Sequence, residues 1–285
     1  MLIRTLVDGK DDIAAVAQLQ GQMRITAPAA PSAYAPQKMA PPANPTPAQF
    51  LAVVNEALGR NPPQGRMAVL AQQARSIGIQ SGQTDVWAGL PELIRNDLSG
   101  AWAAIRAKQM APTTLQTRLV GGWEFPPPEV GTWGSNDLLR ATVALRGIAA
   151  LDGAEALYLS TYVDIAGHVL EGTGTYRLRF PPGGLPARGF WSLTLYEVLP
   201  DGRFFLVGSS INRYSIGNRT GGLQKNADGS MDILVQLRAP ADMANWLPAP
   251  AGKFRLTLRA YLPDALLAQG RSPLPVVQRT GTEAP

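Results

Sequence analysis

Hydrophobic and polar residues follow two different periods in the two parts of this chain. Before the turn at Asp152-Gly153 the apolar residues recur every three to four positions, which is typical of amphipathic helices. After that turn they alternate with polar residues, which is the period of a strand that buries one face. The pattern therefore predicts a mainly helical first part and a second part made of strands.

The first part is predicted to contain four helices, because apolar spacing and capping residues agree there. Thr46 and Pro47 are suited to the N-cap and the first helical position, and Gly59 is expected to end that helix. The other three are expected near 65–77, 91–110 and 136–149.

An arm and a linker are predicted to precede these helices. The arm, residues 1–27, reads as a short strand at 2–7 and a short helix that Asp11 or Asp12 caps and that runs through Leu19. Residues 28–47 contain seven prolines, which exclude regular structure and indicate an extended linker.

Six short strands are predicted after Asp152-Gly153, and turns rich in Gly, Pro, Asn and Asp separate them. They cover 156–164, 174–180, 190–198, 203–208, 231–238 and 254–261. No helices lie between them, so an antiparallel pairing is favoured over a parallel one. The predicted fold class is α+β: a C-terminal antiparallel β-sandwich, a jelly roll, over 151–285, with a helical N-terminal layer over 48–150.

Three of these strands carry polar side chains along one face. Within 190–198 the polar residues alternate with apolar ones, and strands 156–164 and 254–261 repeat the pattern. The polar residues are Tyr158, Ser160, Tyr162, Asp164, Ser192, Thr194, Tyr196, Arg255, Thr257, Arg259 and Tyr261. Two interpretations stay open: the face lines a wet ligand pocket, or it is solvent-exposed or roofed by helices.

The loop 211–220 adds further polar chemistry beside this face. Its candidate binding residues are Asn212, Arg213 and Tyr214. Arg213 is suited to clamp a carboxylate or sulfate, whereas Arg219 is expected to anchor the loop on carbonyl groups. Gly217 is predicted to supply a turn with positive φ.

Several phrases of the sequence together resemble one bacterial family, the domain of unknown function 1214. The resemblance covers about 120–285, implies a jelly roll behind a helical layer, and implies no general activity. The phrases are WGSNDLLRATVALRGI at 133–148, GFWSLTLYE at 189–197, INRYSIGNRT at 211–220, NADGSMDI at 226–233 and NWLPAPAGKFRLTLRAYLP at 245–263.

In that family the domain commonly follows a second one, the domain of unknown function 1254. The opening LIRTLVDGKDDIAAVAQLQ resembles the closing strand and linker of that upstream domain, without the domain itself. The resemblance therefore implies that strand 2–7 pairs elsewhere or with another subunit. It suggests a homo-oligomer, or a separately encoded upstream-domain partner.

Charge and composition exclude several classes of function. The net charge is +5 and the pI about 9.7, but the basic residues are scattered, so no nucleic-acid partner is expected. No apolar run is long enough to span a membrane. The N-terminus lacks the apolar region of a signal peptide, which predicts a cytoplasmic chain, although family members are often exported.

The sequence predicts no metal site, no cofactor and no histidine-based catalytic triad. The chain has no cysteine and one histidine, His168, which is expected in a surface turn. Asp137 and Arg140 are expected to form a local ion pair or cap. Trp246 is expected to pin a loop rather than stack on a sugar.

The leading functional hypothesis is a protein that binds a small molecule or carbohydrate on the polar face. Its predicted ligand-binding residues are Tyr158, Tyr162, Ser192, Thr194, Tyr196, Asn212, Arg213, Tyr214, Arg259 and Tyr261. The second hypothesis is a metal-independent lyase or hydrolase on the same surface, with Tyr162, Tyr196 and Arg213 as catalytic candidates. Tyr162 or Tyr196 would act as acid or base, and Arg213 or Arg259 would stabilise an anion. The third is a structural subunit of an oligomer or of a split two-domain assembly.

Overall fold

The structure of the protein is a computed structural model. The chain divides into two compact units, Met1–Ala103 and Ala104–Pro285. The predicted strand 2–7 and most of the proline-rich segment lie outside the described residues. No helix among the described residues is both long and apolar enough to cross a membrane. The described residues are 5, 7, 10–24, 39, 42, 44–111, 115–147 and 149–282.

The predicted helices are confirmed with small shifts at their ends. Thr46 begins the second helix through a capping box, in which its hydroxyl and the Gln49 side chain each accept a backbone N–H of the other residue. That helix runs one residue past Gly59 to Arg60. The helices are α1 (Ile13–Gln22), α2 (Pro47–Arg60), α3 (Arg66–Gln73), α4 (Glu92–Met110), α5 (Asp137–Arg146) and α6 (Ala265–Ala268), with short 3-10 helices at Lys10–Asp12 and Ala74–Ile77.

The first unit has a small core of its own around Leu51, Val86 and Leu90. Asn55 on α2 is fully buried and ties this core together, because its amide nitrogen donates to the carbonyls of Gly78 and Gln83 at 2.8 and 2.9 Å. A buried amide needs such partners.

The second unit contains two β-sheets. The first has the order β1-β2-β3-β10-β5-β6, with β7 also paired to β5, and the second has the order β11-β4-β8-β9. The strands are β1 (Arg118–Val120), β2 (Trp123–Phe125), β3 (Ala156–Thr161), β4 (Gly174–Phe180), β5 (Trp191–Val198), β6 (Phe204–Phe205), β7 (Ser215–Gly217), β8 (Met231–Gln236), β9 (Trp246–Pro248), β10 (Phe254–Tyr261) and β11 (Val277–Thr282).

The two sheets share one hydrophobic core. Leu193 and Leu258 of the first sheet and Ile233 of the second are among its fully buried members. Aromatic pairs join the sheets: Phe180 stacks on Trp191 with ring centroids 4.4 Å apart. The predicted division of the strands into an apolar and a polar face is therefore confirmed, since the apolar side chains meet in this core.

The predicted antiparallel pairing is wrong at one place, because β9 runs parallel to β8. Strands β1, β2, β7, β9 and β11 were not predicted. Four of them are only three residues long, too short to show an alternation, and the fifth contains a register shift between Arg279 and Gly281. Trp246 of β9 is buried and its indole nitrogen donates to the Gln236 carbonyl at 2.9 Å, which is the predicted pinning role.

Candidate functional site

The three strands with polar alternate residues are neighbours in the first sheet, in the order β3-β10-β5. Antiparallel pairing aligns Arg259 with Tyr158 on one side and with Ser192 on the other. The next row aligns Thr257 with Ser160 and Thr194. We call this surface the arginine–tyrosine face: Tyr158, Ser160, Tyr162, Ser192, Thr194, Tyr196, Arg255, Thr257, Arg259 and Tyr261.

Arg255 lies at one end of this face with an incomplete set of partners. Its Nη1 donates to the Tyr162 hydroxyl at 2.8 Å and its Nη2 to the Ser160 hydroxyl. Its guanidinium also lies over the rings of Tyr162 and Phe204, with the central carbon 4.9 and 4.2 Å from the ring centroids. The Nε atom is buried and has no hydrogen-bond partner among the described residues.

Arg259 repeats this arrangement four residues along the strand. Its Nη1 donates to the Thr194 hydroxyl at 2.9 Å and its Nη2 to the Tyr196 hydroxyl at 2.8 Å. Its central carbon lies 5.4 and 5.6 Å from the ring centroids of Tyr158 and Tyr196. Residues an even number of positions apart in a strand point to the same side, so Arg255 and Arg259 lie on one face of the sheet.

The charge on this face is uncompensated by direct contact. Neither Arg255 nor Arg259 forms a salt bridge with a carboxylate of the described chain. Burial lowers the pKa of the Arg255 guanidinium, and the neighbouring charge of Arg259 acts in the same direction. Glu124 is paired with Ser160 across β2 and β3, and its charge opposes this lowering of the Arg255 pKa.

An aromatic rim closes the other end of the face. The hydroxyls of Tyr158 and Tyr261 are 3.1 Å apart, and the Tyr261 ring stacks on Phe190 with centroids 4.3 Å apart. Arg219 covers the outer side of Phe190, its central carbon 4.4 Å from the ring centroid. Rings of this kind offer apolar surface for the non-charged part of a ligand.

The three candidate binding residues of the loop 211–220 lie outside the contacts described for the arginine–tyrosine face. Arg213 donates through Nη1 to the carbonyls of Met243, Ala244 and Trp246 at 2.8, 2.9 and 3.0 Å. Asn212 adopts a φ of 54°. The Tyr214 carbonyl accepts the Leu195 N–H at 3.3 Å. No described contact joins any of these three loop side chains to the arginine–tyrosine face. The ligand-binding role of the three loop residues stays a prediction.

The predicted positive φ at Gly217 is wrong. Gly217 lies in β7, and it is not among the residues of the described chain with positive φ. A Cβ at this position would meet the carbonyl oxygen of Trp191, so glycine permits close approach of β7 to β5. His168 is largely exposed, with Nδ1 3.3 Å from a carboxylate oxygen of Asp164.

Arg255, Phe204 and Phe190 were not selected as site residues from the sequence. The alternation in β10 did contain the signal for Arg255, since it puts Arg255 on the same face as Arg259. Nothing local indicates that Phe204 reaches Arg255, because that contact depends on how β6 folds back on β5.

Residues 155–265 match the family model described as "Protein of unknown function (DUF1214)". This segment is a DUF1214 domain. The resemblance recognised in the sequence is thus confirmed, and the DUF1214 segment contains the whole arginine–tyrosine face. An upstream partner domain stays a prediction. No protein of curated function matches the chain.

One solved structure supports the fold. The VPA0106 protein from Vibrio parahaemolyticus is 22% identical with a TM-score of 0.56, and the similarity covers 81% of this chain and 55% of that one. An uncharacterized protein from Burkholderia cenocepacia is 15% identical over 76% of this chain and 49% of that one, with a TM-score of 0.33. The chain therefore spans about half the length of these two structures.

Proposed function

We propose that the arginine–tyrosine face binds a small anionic molecule, with an acidic sugar as the favoured class. The single observation that carries this proposal is the state of Arg255: a half-buried guanidinium with an unpartnered Nε and no salt bridge in the described chain. A buried donor without an acceptor costs about 1–3 kcal/mol, and an anion that pairs with the remaining Nη N–H groups of the same guanidinium would offset this cost.

Two guanidinium groups on one face suit an anion better than a neutral ligand. Arg255 and Arg259 both have N–H groups beyond those bound to hydroxyls, since a guanidinium has about five donors. A carboxylate or sulfate accepts from such a fork through two oxygens, and these charge-assisted bonds are short and strong. Binding would also offset the mutual repulsion of the two cations.

The surrounding groups favour a hydroxyl-rich ligand. The hydroxyls of Tyr162 and Tyr196 lie beside the guanidinium groups, where they could exchange hydrogen bonds with sugar hydroxyls. Aromatic rings are common at such sites because they combine apolar area with a polar tip. An acidic monosaccharide presents both a carboxylate and hydroxyls, so it matches both parts of the face.

The test is a calorimetric titration of the full chain with glucuronate, with glucose as the neutral counterpart and sulfate as the bare anion. We expect glucuronate to bind and glucose to bind at least about tenfold more weakly, which is about 1.4 kcal/mol. Replacing Arg255 and Arg259 together by Met should remove glucuronate binding. Arg177→Met, which removes a charge from the second sheet, is the matched control.

The titrations with the variants give results that either support or overturn the proposal. Loss of binding in the double variant with retention in Arg177→Met supports the proposal, provided the melting temperature of each variant shows a folded chain. Equal binding of glucose and glucuronate, or no binding of either glucuronate or sulfate at about 10 mM, would overturn it.

A metal-independent lyase or hydrolase is the second candidate, and the Arg259–Tyr196 contact favours it. The guanidinium donates to the phenol oxygen at 2.8 Å, which places an anion-stabilising cation beside a group able to transfer a proton. Both roles of the predicted mechanism are thereby present on one face, with Arg259 rather than Arg213 beside the tyrosine.

The accompanying fold proposal is a jelly roll. The chain passes from β3 in the first sheet to β4 in the second, returns for β5, and crosses again for β8 and β10. Such repeated crossings between two sheets are typical of Greek-key and jelly-roll sandwiches.

A further inference from the structure

A concave site lies at the end of the core where β4 ends and β5 and β8 begin. Its volume is about 250 Å³, at the small end of ligand pockets and suited to a ligand with one ring. Its walls are formed by Phe180, Pro181, Gly183, Gly184, Trp191, Asn218, Thr220, Gly222, Leu223, Lys225, Gly229 and Met231.

The polar groups that the pocket offers are mainly donors. The Trp191 indole N–H has no acceptor among the described residues, although the backbone N–H of the same residue donates to Asn218 Oδ1 at 3.0 Å. That bond leaves the Asn218 amide N–H₂ as the available end of the side chain. Lys225 adds an ammonium group that forms no salt bridge within the described chain.

Glycine at position 184 keeps this donor accessible. Gly184 has a φ of 78°, and a Cβ built on it would lie 2.7 Å from the indole nitrogen of Trp191. Any side chain there would press on the nitrogen from the pocket side. The indole nitrogen is not among the buried polar atoms without a partner in the described chain, so its N–H keeps access to open space.

The pocket also has an apolar lining. The Trp191 ring stacks on Phe180 at an interplanar angle of 16°, so each of these rings already has one face covered, and Leu223 and Met231 contribute further apolar surface. Such apolar surface suits the ring of a small ligand, and the donors suit a group that only accepts.

We propose that this pocket binds a small planar monocarboxylate, held by Lys225, Asn218 and the Trp191 indole N–H. The ligand's carboxylate would accept from all three donors while its ring packs against the apolar lining around Leu223 and Met231. A carboxylate is preferred to a neutral acceptor because the lining of described residues brings a cation and no carboxylate of its own. This site is separate from the arginine–tyrosine face, since Trp191 points into the core and Ser192 to the opposite side.

The test uses benzoate as the probe and benzamide as its neutral isostere. The six tryptophans of the full chain are labelled with ¹⁵N, and their indole signals are followed by NMR during the titration. We expect one indole signal to shift with saturable benzoate binding, and Trp191→Phe identifies that signal. Benzamide should bind at least about tenfold more weakly.

Variants decide between this pocket and other sites. Lys225→Met should weaken benzoate binding at least about tenfold, whereas Lys253→Met, also an exposed lysine, should leave it unchanged. Should Trp191→Phe fail to fold, Gly184→Ala serves as the second variant, and it should also weaken binding.

The inference would be overturned by equal binding of benzamide, by a shift confined to another indole signal, or by unchanged binding in Lys225→Met. It would also fall if the Arg255 and Arg259 double variant removed the benzoate shift, because binding would then belong to the face. Loss of glucuronate binding alone would leave it intact, so the two proposals fail independently.

Discussion

Replacing Arg213 by Met tests whether this residue anchors its loop rather than binds a ligand. The sequence predicted a ligand clamp, but the Nη1 atom donates to three carbonyl groups, those of Met243, Ala244 and Trp246. The backbone N–H of Arg213 donates to Ser209 Oγ at 2.9 Å, which holds the residue in its loop. The structure therefore indicates a side chain that fastens one loop to the strand β9.

The cost of the substitution follows from these contacts. One nitrogen has two hydrogens, so three contacts amount to about two hydrogen bonds, and a bond to a charged group contributes about 1.5–3 kcal/mol when well buried. Arg213 is only half-buried, which lowers each bond toward 1–1.5 kcal/mol. Methionine retains most of the apolar part of the arginine side chain. We expect Arg213→Met to destabilise the chain by about 2–3 kcal/mol, or roughly 4–12 °C in Tm.

The assay is thermal and urea unfolding of the full chain, followed by tryptophan fluorescence, with glucuronate titration alongside. Arg203→Met is the matched control: Arg203 is exposed, pairs with exposed Asp201 and lies over the Phe205 ring, so this substitution should lower Tm much less than Arg213→Met. A Tm for Arg213→Met equal to that of the control would refute the anchoring argument. Loss of glucuronate binding at unchanged stability would restore the ligand clamp.

Two further predictions concern single hydroxyl groups. Tyr196→Phe should abolish turnover of an acidic oligosaccharide, if the chain is a lyase or hydrolase, while Tm changes little; full turnover would remove Tyr196 from catalysis. Burial raises the pKa of Tyr176, so the folded chain keeps this proton to higher pH than the unfolded chain. The free energy of unfolding should therefore fall as pH rises above about 10. Tyr176→Phe should reduce that fall, and parallel curves for both chains between about pH 9 and 11 would contradict the argument.

The local pattern was enough to predict the long elements and the faces of the strands. The helix over Glu92–Met110 and the strands Trp191–Val198 and Phe254–Tyr261 lie within one residue of their predicted bounds, because period and capping are properties of neighbouring residues. For the same reason the polar side of each strand could be predicted, and with it most residues of the arginine–tyrosine face.

The order of strands came only from the tertiary structure. The alternation in β10 shows which residues share a side, but not that β10 lies between β3 and β5. That position brings Arg255 to Tyr162 and Arg259 to Tyr196, residues 93 and 63 positions apart in the chain. Pairing between distant segments depends on the whole core, which no local period encodes.

Loop side chains illustrate the same limit. Arg213 and Lys225 are both basic residues in polar loops, and the sequence selected the first as the ligand contact. In the folded chain Arg213 reaches three backbone carbonyls, whereas Lys225 lines a pocket. By itself the sequence determined which residues are polar and which way each strand faces. Tertiary structure alone decided which polar groups meet acceptors within the protein and which are left for a ligand, because hydrogen-bond satisfaction is a property of neighbours in space.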